Sequence, residues 1–138
     1  MPHRFKFSVS QWLPIHLALL FLMVPFRLLL AILLSIIIHE AGHLAAIRLC
    51  KIPVRNIMFS LTGAKIITSA MSNNQELFCS AAGPFASFLM LLFARYFPLL
   101  SICSLFHGVF NLLPIGSMDG ARIMRSFFQM VLKRYTIK

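Results

Sequence analysis

Residues 28–38 form an apolar run, Leu28 to Ile38, in which Ser35 is the one polar side chain. It leads directly into His39-Glu40-Ala41-Gly42-His43. A run of this kind is fit for lipid, and with the residues that follow it predicts a helical span from about Leu28 to Leu49. On that helix the two imidazoles stand at i and i+4, on one face and one turn apart. Two neutral imidazoles so placed can hold one zinc ion, and the carboxylate between them can take a proton from a water beside it. The plainer reading is a pair of satisfied core histidines with a paired Glu40. It is disfavoured, because ionisable groups inside a membrane segment are costly and usually functional. His39 lies ~16 Å along the helix from Leu28, and His43 ~8 Å from Arg48. The site is therefore expected within the membrane, nearer the Arg48 end.

Composition agrees with a membrane class. The 138 residues are 59% hydrophobic and 12% charged, with a mean hydropathy of +0.87. Soluble domains are nearer half apolar and a quarter charged. The length fits one domain over residues 1–138. The net charge of +10 would suit a nucleic-acid partner, but the basic residues form no single tract interleaved with aromatics. They gather at the ends of apolar runs, so no nucleic acid is expected. Cys50, Cys79 and Cys103 are far apart, contain no C-x-x-C pair, and read as small apolar packing residues.

Taken in order, the chain predicts an all-α integral membrane protein with about four transmembrane helices. The first apolar run, Trp12 to Phe26, is short: 15 residues make ~22 Å of helix against a ~30 Å hydrocarbon core. No small-x-small cleavage site follows it, so it reads as a retained span and not a signal peptide. Between the second and third spans, Val54–Leu61 and Ala64–Thr68 flank Thr62-Gly63 and predict a small β-hairpin. The third span runs from about Leu77 to Phe97. Its stretch Ser80-Ala81-Ala82-Gly83-Pro84-Phe85-Ala86-Ser87 suits close helix packing, with Pro84 able to kink it. A fourth apolar run, Pro98 to Ile115, leads into Gly116-Ser117-Met118-Asp119-Gly120, and Ala121 to Lys138 predicts an amphipathic helix at the interface. With the N-terminus inside, only Arg27 and Arg95 among the basic residues fall outside, which places both termini in the cytoplasm.

A catalytic zinc takes three protein ligands and one open position, so a third ligand is needed. The only acidic residues besides Glu40 are Glu76 and Asp119. Glu76 reads as a solvated residue at a boundary. Asp119 falls at a depth comparable to His43, and its plain role is a helix N-cap, which does not exclude ligation. His107 competes, but it lies ~18 Å from Asp119 along a continuous helix, where a structural or access role suits it better. His16, in the first span, reads as structural or interfacial.

The residues resemble the site-2 protease family of intramembrane zinc metalloproteases, with the branch of stage IV sporulation protein FB the most similar. His39-Glu40-Ala41-Gly42-His43 resembles its zinc motif, and Ala81-Ala82-Gly83-Pro84 its small-residue segment. Asn111-Leu112-Leu113-Pro114 followed by Met118-Asp119-Gly120 resembles its Asn-x-x-Pro and Asp-Gly signature. The departures are Ala121 after Gly120, where a second Gly is frequent, and Ser87, where Asn is common. The resemblance implies that His39, His43 and Asp119 bind Zn2+, that Glu40 is the catalytic acid/base, and that Asn111 positions substrate. It implies a zinc metalloendopeptidase hydrolysing peptide bonds of membrane-associated substrates, that is, regulated intramembrane proteolysis. The rival is a catalytically inactive membrane-binding module of the same fold. The expected partners are a membrane protein or membrane-associated peptide as substrate, the lipid bilayer, and a regulatory membrane partner. The expected location is a bacterial cell membrane, crossed several times.

Overall fold

The computed structural model describes residues 6–9, 12–60, 63–68 and 71–136. The expected turn residue Thr62, the basic Arg4 and the last residue Lys138 lie outside the described residues. The element order is β1 (Lys6–Val9), α1 (Leu13–Met23), α2 (Phe26–Leu49), β2 (Val54–Ser60), β3 (Gly63–Thr68), α3 (Asn73–Leu89), a 3-10 turn (Met90–Phe93), α4 (Pro98–Asn111) and α5 (Asp119–Thr136). The chain is mostly helical but not all-α. β2 pairs antiparallel with β3, from Val54 opposite Thr68 to Ser60 opposite Gly63, with an irregularity between Val54 and Asn56. β1 pairs parallel with β2, Lys6 opposite Asn56 and Val9 opposite Phe59, and makes a third strand that the sequence does not predict. Strands joined in parallel need a crossover, and α1 with α2 supplies it.

The expectation of four membrane spans is corrected: among the described residues two helices are long and apolar enough to cross a membrane, by length and composition. These are Phe26–Leu49, 24 residues, and Asn73–Phe93, 21 residues. The first apolar run forms an α1 of only 11 residues, or ~16 Å. The fourth forms an α4 of 14 residues, or ~21 Å. Hydropathy marked both runs, but neither helix is long enough for the hydrocarbon core. α4 stops at Asn111 because the next residues turn: Met118 N–H donates to the Ile115 carbonyl at 3.2 Å, and Gly116 takes φ +58. That turn is tight. A Cβ on Gly120 would overlap the Leu112 carbonyl oxygen, so glycine alone lets α5 start so close to the end of α4.

α2 packs between α3 and α4, and α5 packs on α3. The contacts are made by small residues. A Cβ on Gly42 would meet the Ala86 Cβ at 2.7 Å, and one on Gly108 the Ser87 Cβ at 3.1 Å. α3 continues through Pro84, which is buried. The interior holds Ser35, Ser80, Ser87, Ser101, Ser104 and Ser126, each no more than 1% exposed, while many Leu, Ile and Phe side chains of α2 to α4, Leu29 and Ile47 excepted, are exposed. This is the inverse of a soluble core and the packing expected where apolar surroundings replace water. α2 ends in a Schellman turn. Ile52 N–H bonds the Ile47 carbonyl at 3.1 Å and Lys51 N–H the Arg48 carbonyl at 3.0 Å. Lys51 takes the left-handed position, φ +54. Ile47 and Ile52 then pack with Ala46 and Cys79, which joins the end of α2 to α3.

Candidate metal centre

One turn of α2 presents His39 and His43, and both rings are buried. Each is held from behind by α3. His43 Nδ1–H donates to the Cys79 carbonyl at 2.8 Å. A carbonyl only accepts, so Nδ1 is protonated, and in the neutral ring Nε2 carries the lone pair. His39 Nδ1 bonds the Ser87 hydroxyl at 2.9 Å. These are the supports that orient imidazole ligands in metal sites. Both Nε2 atoms face Asp119 Oδ2, at 3.0 Å from His39 and 3.1 Å from His43, and lie 3.2 Å from each other.

Asp119 opens α5, but its carboxylate turns inward to the imidazoles. Burial alone would raise its pKa. A hydrogen bond from whichever imidazole Nε2 carries a proton, and the charge of that ring, outweigh burial and hold it at about 2, so the group is a carboxylate at neutral pH. Three lone-pair atoms gathered this closely need an electrophile among them. A tetrahedral ion with bonds of ~2.0–2.1 Å spaces its ligand atoms ~3.3–3.4 Å apart, within a few tenths of an ångström of the triangle here. The backbone leaves room for it. A Cβ on Gly83 would overlap His43 Nε2 and come within 2.8 Å of His39 Nε2. His39, His43 and Asp119 therefore form a group able to hold a metal ion.

Glu40 is half-buried, next to His39 on α2. Asn111 stands at the last residue of α4, where its amide N–H donates to the His107 carbonyl at 3.0 Å; it is outside the metal-capable group. The sequence placed His107 far from Asp119 on one helix. The turn between α4 and α5 removes that separation, and the His107 ring meets His39 edge-on with centroids 4.6 Å apart. His107 is also outside the metal-capable group. Glu76, expected as a solvated boundary residue, is half-buried in the first turn of α3 and paired. It lies 3.5 Å from Arg122, whose guanidinium also faces Asp119 Oδ1 at 3.9 Å. The side chain of His16 lies outside what the structure describes. Ser87, the Cys79 carbonyl, Gly83 and Arg122 are parts of the site that sequence reasoning did not assign to it. For Gly83 and Ser87 the signal was present, since both fall in the small-residue stretch of α3.

Two histidines from one helical turn and a distant carboxylate, with a Glu between the histidines, resemble the arrangement of a metallopeptidase. The model of Peptidase family M50 matches residues 90–137, the segment that carries α4, the turn and Asp119. The chain is similar to a zinc metalloprotease of Methanocaldococcus jannaschii, 27% identical over 113 residues, which covers 72% of this chain and 33% of that protein. It thus spans about a third of that relative's length. It is also similar in structure to the site-2 protease from the same organism, with a TM-score of 0.71 at 22% identity over 94% of this chain and 69% of that one. At that identity the likeness establishes the fold. Together the comparisons support the site-2 protease (Peptidase M50) family and metalloprotease homology.

Proposed function

We propose that residues 1–138 are one core of an intramembrane zinc metallopeptidase of the site-2 protease type, nearest the branch of stage IV sporulation protein FB. The observation that carries the reading is the convergence of His39, His43 and Asp119 from α2 and α5, over a glycine whose side chain would fill the centre. Zinc held there supplies Lewis acidity, which polarises a carbonyl and acidifies water. Glu40, one residue from His39 and three from His43, takes the proton of the attacking water and delivers it to the leaving amine. Ser87 and the Cys79 carbonyl keep the imidazoles aimed and fix the tautomer of His43. Asn111, at the head of the turn that carries Asp119 inward, positions the substrate.

The substrate is a membrane-associated peptide, and a helical one must unwind before its carbonyls can enter. α2 and α3 cross the bilayer with β2 and β3 on the cytoplasmic side. β1 pairs with β2, and the short α1 and α4 carry the chain through without spanning the full hydrocarbon core by themselves, so both termini are read on that side. The reading is supported by the apolar outer surface and by the basic residues Arg48, Lys51, Arg122, Arg125, Lys133 and Arg134, which all follow the inner ends of these helices or belong to α5. The test is Glu40→Gln. The variant is expected to fold and hold one equivalent of zinc, while single-turnover cleavage of a membrane peptide falls about 10²–10⁴-fold. Undiminished cleavage would remove Glu40 from the chemistry. Equal peptide binding with no cleavage by either form would favour the inactive binding module.

A further inference from the structure

α3 holds two of the three metal-capable side chains directly, His43 through the Cys79 carbonyl and His39 through the Ser87 hydroxyl. Among the described residues, Asp119 has no such direct tie to α3. It has Arg122, three residues along α5, whose Nη1 faces Oδ1 at 3.9 Å while Oδ2 faces the imidazoles. Arg122 in turn is met by Glu76 from the first turn of α3, Nε to Oε1 at 3.5 Å. A carboxylate rotates in a broad well about its last torsion, so nothing intrinsic to Asp119 fixes the angle at which one oxygen points inward. A cation beyond the outer oxygen narrows that range by charge attraction. Only three acidic side chains exist in this chain, which carries a net +10, and one arginine faces two of them.

Resting on the reading of the cluster as a zinc site, we propose that Arg122 is a positioning residue. It holds Oδ1 of Asp119 so that Oδ2 stays aimed at the metal position, and Glu76 anchors it to α3. All three ligands are then registered against the same helix. The competing explanation is that the Glu76–Arg122 pair only joins α5 to α3.

The full chain in detergent micelles separates the two. Zinc affinity is measured by competition with a chromophoric chelator, and the visible spectrum of the Co2+-loaded protein reports ligand geometry. Arg122→Met keeps most of the side-chain volume. It is expected to retain helix content and to weaken zinc binding ten- to hundredfold, with an altered Co2+ spectrum. The double variant Glu76→Arg with Arg122→Glu keeps an interhelical pair but places a carboxylate beside Asp119, and is expected to bind as weakly. Wild-type affinity in Arg122→Met, or restored affinity in the charge-swapped variant, overturns the proposal. If Arg122→Met fails to fold, the charge-swapped variant decides by itself, since it preserves the joint between helices. A wild-type chain that takes up neither Zn2+ nor Co2+ would instead sink the metal reading beneath it.

Discussion

Replacing Gly83 by alanine tests the metal centre with a single methyl group. The added Cβ would stand 2.8 Å from His39 Nε2 and overlap His43 Nε2, where ordinary contact begins near 3.4 Å. His39 would have to retreat by ~0.6 Å and His43 by more, while metal bonds tolerate only about ±0.2 Å. Neither ring can swing aside cheaply, because each is pinned at Nδ1, by Ser87 at 2.9 Å and by the Cys79 carbonyl at 2.8 Å. Releasing either pin leaves a buried polar group unpaired, at about 1–3 kcal/mol. Forcing a methyl into a packed site costs a similar ~1–3 kcal/mol. Charged to the metal-binding step, this is a loss of at least ~10–100-fold in zinc affinity. The assay is zinc content by elemental analysis and affinity by chelator competition, with helix content from circular dichroism on the same sample. Gly116→Ala is the control. Gly116 has open space around it and a φ of +58, so it should cost about 1 kcal/mol of stability and leave zinc affinity alone. Wild-type zinc affinity in Gly83→Ala would refute the placement of the metal between these imidazoles.

Two further substitutions probe the supports. Ser87→Ala strips the hydroxyl from His39 Nδ1 and should lower zinc affinity about 10–100-fold, less severely than loss of His39 itself, as read by the same competition. Lys51→Gly relieves a non-glycine residue at φ +54 in the turn after α2 and should raise stability by roughly 0.5–1 kcal/mol, seen as a higher denaturation midpoint with zinc binding unchanged.

His39 and His43 were legible because their relation is local: a helix sets i and i+4 on one face whatever packs against it. The apolar character of α2 and α3 was legible for the same reason. Asp119 was legible only with the help of a family signature, since the depth argument rested on a fourth span that the structure shortens to α4. The error about His107 has the same root. Hydropathy reads the run from Pro98 to Ile115 as one helix, but Leu112 to Met118 turn back, and that turn sets the His107 ring against His39. The sheet's third strand was invisible for want of its partner, because Lys6–Val9 pairs with residues some fifty positions away.

By itself the sequence determined the chemistry available: two imidazoles and a carboxylate on one apolar helix, and so few other acidic groups that the third ligand had two acidic candidates. Only the tertiary structure decided how that chemistry is aimed. The Cys79 carbonyl, the Ser87 hydroxyl, the missing side chain of Gly83 and the Glu76–Arg122 pair all lie on α3 or reach it, and each acts across a helix interface. A backbone carbonyl or an absent Cβ has no sequence signature of its own. Its role exists only once the close approach of α2 and α3 brings it to an imidazole nitrogen.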